Sequence, residues 1–179
     1  MAISEPEALS AKHDLTTFDC GKSALNDWLR GRALSNQLRG FTVVIVVHDA
    51  GRVVGFYALA PTAVEPRSMP RRIRTGQPPN PIPCLLLGQL AVDLAYKGKA
   101  LGKALVADAL RRVTRSAELS GGRALVVNAV DEDAASFWRA QGFLASPRDP
   151  MQLYRSLDDI RASVQAAEQD SAHGLDRPR

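Results

Sequence analysis

The segment Leu85 to Leu110, LLLGQLAVDLAYKGKALGKALVADAL, constrains this chain more than any other. Its apolar run ends at Asp93, a short basic loop with Gly98 and Gly102 follows, and a helical period begins near Leu101. The order is strand, loop, helix. A junction of that kind leaves backbone N–H groups without intrahelical acceptors and sets the positive end of a helix dipole behind them. It is suited to a phosphate or pyrophosphate. Lys97, Lys99 and Lys103 add side-chain charge at the same place.

The rest of the composition narrows the class. A chain of 179 residues with 45% hydrophobic and 23% charged residues has material for one soluble domain with its own core. No apolar run reaches the roughly 18 to 20 residues that span a bilayer, and the opening MAISEPEALSAKHD lacks the basic-then-apolar order of a signal peptide. A cytoplasmic location is expected. Cys20 and Cys84 are then expected to be reduced and unpaired. His13, His48 and His173 show no ligand spacing, so no metal site is expected. A net charge of +4 favours anionic partners without marking a dedicated nucleic-acid-binding domain.

Along the chain, Leu25, Trp28, Leu29, Ala33 and Leu34 recur at three- and four-residue steps between Leu15 and Gln37, predicting a helix that Asp19 or Ser23 could cap. Lys22, Arg30, Arg32 and, just beyond, Arg39 lie on its other side, as a solvated face or as part of a groove for a polyanion. Phe41 to His48 and Val53 to Ala60 are β-branched and apolar, and Asp49-Ala50-Gly51-Arg52 between them predicts a hairpin. From Pro61 to Pro83 the prolines exclude a central strand, leaving a long connection with one short helical turn around Met69 to Ile73. Arg67, Arg71, Arg72 and Arg74 in it stay at the surface or meet an anion. The helix from Leu101 turns Leu101, Ala104, Leu105, Ala109, Leu110 and Val113 inward and stops at Gly121-Gly122. A buried strand over Arg123 to Val130 follows. Next come a short helix from Asp131 to Gln141 and a last strand over Met151 to Ser156. The polar end from Asp158 is expected to be helical to about Gln169 and disordered after it.

This order predicts an α/β (α+β) fold, a mixed central sheet with helices on both faces. The block LGQLAVDLAYKGKALGKALVADAL, followed by RALVVNAVDEDAASFWRAQGF, resembles the GNAT superfamily of acyl-coenzyme A dependent N-acetyltransferases. LTTFDCGKSALNDWL and FLASPRDPMQLYRSL resemble, within it, the acetyltransferase toxins that modify charged tRNA and pair with ribbon-helix-helix antitoxins. The resemblance covers about residues 9 to 157. It implies a domain over 1–157 and a C-terminal helix or tail over 158–179, with a splayed strand pair that admits acetyl-coenzyme A (acetyl-CoA). It further implies cofactor contacts at Leu90, Ala91 and Val92, at the loop residues Lys97, Gly98, Lys99, Ala100, Leu101, Gly102 and Lys103, and at Asn128, Asp133 and Phe137. Substrate would be aminoacyl-tRNA, held through Arg30, Arg32, Arg39, Arg67, Arg71, Arg72 and Arg74. The implied partners are a ribbon-helix-helix antitoxin and a second copy in a homodimer, without a membrane. A protein or small-molecule amine acetyltransferase, or a weakly active binding module, is the alternative.

The chain departs from the family pattern at identifiable positions. Lys97 stands where Gln or Arg is usual, and Ala100 where the first glycine is usual; a methyl group there is harmless in a helical conformation and costly at positive φ. Trp138 stands where the toxins carry the tyrosine that protonates the leaving thiolate. An indole N–H donates a hydrogen bond but does not act as an acid near neutral pH. Water, or another tyrosine such as Tyr154, Tyr96 or Tyr57, would then serve, or activity would be low; Trp138 is either the residue at the catalytic position or plain packing.

Overall fold

The computed structural model describes residues 2–174. They form two compact units, each made from two stretches of chain: residues up to Ala60 with Leu86–Ala109, and Pro61–Leu85 with the chain from Leu110 on.

The first unit begins with a two-residue strand, β1 (Glu7–Ala8), that no sequence pattern marks; it pairs antiparallel with β2 (Val43–Asp49). A helical stretch lies between them in the chain: α1 (Ser23–Trp28), a π-helical segment over Leu29–Ala33, and α2 (Leu34–Leu38). Leu25, Leu29 and Ala33 make the expected buried stripe. Neither expected cap is used. The N-cap is Lys22, and the Asp19 carboxylate instead accepts from the N–H of Gly21 and the amide of Asn26. In the core, Phe56 meets the edge of Phe18 at 5.5 Å and stacks on Trp28 at 6.1 Å.

β2 and β3 (Arg52–Val64) form the expected hairpin, with Ala50 and Gly51 both at positive φ (50° and 91°), as a two-residue turn between right-twisted strands requires. β3 runs past its expected end at Ala60 and contains Pro61. Its pairing with β2 stops at Leu59, so the missing N–H of Pro61 costs no bond in that ladder. β4 (Ile82–Val92) belongs to both units by sequence, and its end in the first unit is fixed by the Asp93 N–H to the Val54 carbonyl at 2.8 Å.

In the second unit β5 (Ala124–Asn128) pairs antiparallel with β7 (Gln152–Ser156), which also pairs with the short β6 (Leu144–Ala145). Ala124, Leu125, Val126 and Val127 are all buried. α4 (Glu132–Ala140) is capped by Asp131, whose carboxylate accepts from Ala134 N at 2.8 Å. Gly142, at φ +89°, ends it as expected. α3 (Leu101–Ser120) starts where the sequence placed it and buries Leu105, Ala109, Leu110 and Val113. Ala104 is exposed and Leu101 only half-buried, because the inward face is narrower than its apolar residues suggest. α5 (Leu157–Gly174) extends beyond Gln169 and buries Leu157 and Ile160. Residues 170–174 are thus helical where disorder was expected, and the rest of that expectation, over 175–179, lies outside the described residues.

Candidate active site

In the first unit the strand-loop-helix junction is present as read. Ala91 and Val92 are buried and Leu90 half-buried at the end of β4. Asp93 caps a 3₁₀ turn, Leu94–Tyr96, by accepting from Ala95 N at 2.9 Å. Gly98 then takes φ +77° and Ala100 φ +60° before α3 starts. Within the helix start, Ala104 N is the donor that reaches back to Ala100 O, at 3.1 Å. The N–H groups of Leu101, Gly102 and Lys103 precede it and project from the first turn. An added Cβ at Gly98 would meet nothing within 4 Å, and one at Gly102 would make only ordinary contact with Val92 at 3.9 Å. The loop therefore has room above it. A left-handed alanine carries a cost of about 1 kcal/mol, so Ala100 is the strained member of this loop.

The loop is braced from the protein side. The buried Asp93 carboxylate also accepts from Asp19 N at 3.1 Å and lies 3.5 Å from an Arg52 nitrogen, while Leu94 N donates to Asp19 O at 2.8 Å. Lys97 donates from Nζ to the Cys20 carbonyl at 3.0 Å. Its charge is spent on this segment, which its position in the motif did not foretell. Lys99 sits over the Tyr96 ring at 5.1 Å, and Lys103 is exposed. The Tyr96 hydroxyl donates to Asp49 at 2.8 Å; that bond first, and burial second, push its pKa up.

Other predicted residues fall in the second unit. Asn128 ends β5 and is exposed, its side-chain oxygen 3.4 Å from the Gln152 amide. Asp133 is exposed in the first turn of α4, and Phe137 is half-buried, its ring at 5.1 Å from that of Trp138. Trp138 is buried and also meets Phe143 edge-on at 5.1 Å. Tyr154, fully buried on β7, donates to Gln152 Oε1 at 2.6 Å. Burial pushes its hydroxyl up to about 12 and the nearby Cys84 thiol up to about 11. Both cysteines are free and buried. Tyr57 is also engaged, by the Asp108 carboxylate.

A family profile described as the acetyltransferase (GNAT) family matches residues 9–143. The chain belongs to the GNAT acetyltransferases. As a GNAT enzyme it is an acetyl-CoA-dependent N-acetyltransferase. It is 40% identical over 161 residues to the tRNA-acetylating toxin of Mycobacterium tuberculosis (strain ATCC 25618 / H37Rv), covering 90% of this chain and 96% of that protein. The structure of AtaT complexed with acetyl-methionyl-tRNAfMet superposes on the GNAT chain with a TM-score of 0.81 at 26% identity, covering 90% of this chain and 98% of that one. A tyrosine-to-phenylalanine mutant of the AtaT toxin, bound to the C-terminus of the antitoxin AtaR and acetyl-CoA, gives 0.78 at 26% identity, with coverage of 92% and 99%.

Among the arginines of this GNAT chain, Arg30 is partly committed, donating to Phe18 O at 2.7 Å beside Asp27 at 3.7 Å. Arg32, Arg39, Arg71 and Arg72 are exposed, and Arg74 donates to Pro66 O at 3.1 Å. Sequence spacing missed one cluster. Glu7, His13 and His48 bring ligand-capable atoms within 4.8 Å of one another. Each histidine Nδ1 accepts a backbone N–H, from Ser10 and from Gly51, both at 3.0 Å. Each Nε2 therefore carries hydrogen and faces Glu7 Oε1, at 2.7 and 3.4 Å. The His13 bond first, and Lys12 at 3.3 Å next, hold the Glu7 carboxyl below its ordinary pKa. As arranged, this is a hydrogen-bonded knot on the N-terminal strand.

Proposed function

We propose that this enzyme is a toxin of the tRNA-acetylating kind, moving the acetyl group of acetyl-CoA to the α-amino group of aminoacyl-tRNA and so stopping translation. The observation that carries the reading is the extent of its identity with the mycobacterial tRNA-acetylating toxin, which runs through the strand-loop-helix junction. In this reading the projecting N–H groups of Leu101, Gly102 and Lys103, with the ammonium groups of Lys99 and Lys103, hold the pyrophosphate. The extended backbone from Leu90 to Val92 offers its amides to the pantetheine arm. Lys97 acts as a strut, because its ammonium is held by Cys20.

Acetyl-CoA supplies an activated acyl carbon. The amine nitrogen forms the new C–N bond, the C–S bond breaks with its electron pair going to sulfur, and one proton moves from nitrogen to sulfur. A phenol held up to about 12 is a weak acid toward a thiolate, since an ordinary cysteine thiol titrates at about 8.5. An indole is weaker still. We therefore assign the proton to the attacking amine, which becomes cationic as it adds, rather than to Tyr154 or Trp138. The residues of the site contribute placement and electrostatics.

An antitoxin of the ribbon-helix-helix class and a homodimeric state complete the proposal. The AtaR complex supports an antitoxin partner, its ribbon-helix-helix class resting on the sequence resemblance, and the exposed apolar side chains Leu38, Phe41 and Val43 offer a surface for the homodimer. A cytoplasmic location follows from the substrate; among the described residues no helix is long and apolar enough to cross a membrane. Incubation with charged tRNA and acetyl-labelled CoA tests the reaction. Label should appear on the aminoacyl end, and its absence across all charged tRNAs, with acetyl-CoA binding intact, would reject the reading.

A further inference from the structure

The connection between β3 and β4 and the turn before β7 meet within the second unit to form an open pocket of about 580 Å³. Met69, Pro70 and Pro147 line it with apolar surface, and Arg67, Arg71, Arg74 and Arg148 bring guanidinium groups to it. The scaffold is fixed. Met69 is fully buried, a 3₁₀ turn spans Pro66–Ser68, and Arg74 ties the far side of the connection to Pro66 O. Arg148 is set by its own N–H donating to Ser146 Oγ at 3.2 Å, and Ser146 is buried with its N–H on Gln152 O at 2.7 Å.

The charges at this pocket do not balance. Glu65 carries the carboxylate beside these arginines, with Oε2 at 3.3 Å from Arg148 and 4.0 Å from Arg67. Arg71 is exposed and forms no ion pair among the described residues. A volume of about 580 Å³ lies within the range of small-ligand pockets, so it admits a ring as well as an anion. Guanidinium forks match phosphate oxygens in pairs, and the exposed Pro147 ring gives a base a flat apolar seat.

We propose that this pocket receives a nucleotide of the RNA substrate, phosphate on Arg71 and Arg148 and base against the apolar floor. Glu65 acts as an internal anion that the phosphate displaces. The proposal rests on the aminoacyl-tRNA reading and adds to it a defined subsite and a residue that opposes binding. Glu65 gives it a sign that a general basic surface lacks: removing this side chain's charge tightens the complex.

The test is fluorescence anisotropy of a labelled, uncharged tRNA over a salt series, with the full chain and its R71Q, R148Q and E65Q variants. Each arginine variant should bind more weakly and lower the slope of log affinity against log salt by about 0.7 to 0.9. E65Q should bind more tightly, and acetyl-CoA titration should be the same in all. Unchanged affinity and slope in both arginine variants would overturn the pocket; if the unmodified protein still labels aminoacyl-tRNA, the functional reading stands without it. No tRNA binding by the unmodified protein, with acetyl-CoA still titrating, would remove both. Competition by an oligoglutamate peptide as strong as by a short oligoribonucleotide would reassign the pocket to an acidic peptide. Saturation by AMP without effect on tRNA binding would reassign it to a free nucleotide.

Discussion

Substituting Asp93 tests how the proposed acetyl-CoA loop is held. Its buried carboxylate accepts from two backbone N–H groups, Asp19 at 3.1 Å and Ala95 at 2.9 Å, and faces Arg52 at 3.5 Å. Asp93→Ala leaves both donors without an acceptor. Hydrogen bonds to a charged group contribute roughly 1.5 to 3 kcal/mol each; at the low end, the two bonds give about 3 kcal/mol. Arg52 is 41% exposed, so its ion pair adds only about 0 to 1 kcal/mol. A loss of about 3 to 4 kcal/mol follows, which at a urea dependence of about 2 kcal/mol per molar lowers the unfolding midpoint by about 1.5 to 2 M. Asp93→Asn should lose about half as much, because its amide oxygen keeps one N–H while its NH₂ group opposes the other. Urea titration monitored by circular dichroism measures both. KM for acetyl-CoA should rise in the same order, since β4 ends and the loop begins at this residue. A loss below about 1 kcal/mol for Asp93→Ala would refute the argument that this carboxylate holds the junction.

Ala100→Gly should relieve the positive φ and tighten acetyl-CoA binding, read by calorimetry; an unchanged or weaker affinity would show that the strain is not felt in binding. Trp138→Ala should cost about 3 to 5 kcal/mol as a core truncation, whereas Trp138→Phe and Tyr154→Phe should leave the single-turnover acetyl transfer rate within a few-fold. A hundredfold fall with either phenylalanine variant in a stable protein would restore that residue as the proton donor. Stability should also decline in alkali. The unfolded chain releases the Cys84 and Tyr154 protons near their ordinary values of 9.0 and 10.0, whereas the folded chain holds them to about 11 and about 12. The unfolded state is therefore favoured as pH rises from about 9 to about 12, and these groups contribute no slope below that window. Thermal melts across this range should flatten in a C84A/Y154F variant.

Much of the fold was legible because local chemistry and burial agree. Val44 to Val47 are apolar without interruption and lie buried in β2; Leu105, Ala109 and Val113 keep a helical period and are buried in α3. Asp131 caps α4 as its position suggests. What escaped the sequence depends on partners far along the chain. β1 is two residues with no pattern of their own, specified by pairing with Val46 and Ile45. Pro61 argues against a strand until the end of the β2 ladder at Leu59 is known. Lys97 reads as a phosphate ligand because its actual acceptor is a carbonyl of Cys20, and a backbone acceptor leaves no residue-type signal. The cluster of Glu7, His13 and His48 was hidden for the same reason, since its members sit on separate segments.

The division of the chain between the units has a consequence for synthesis on the ribosome. Residues up to Ala60 emerge first, but their unit is finished only by Leu86–Ala109, after Pro61–Leu85 has been delivered to the other unit. The unit built from Pro61–Leu85 in turn awaits the chain from Leu110 on. The first unit has all its chain only once Ala109 has emerged, and the second only with the chain beyond it. A nascent chain cut off before α3 lacks the helix start that closes the basic loop after β4, so the acetyltransferase acquires its proposed acetyl-CoA loop only after much of the chain has emerged.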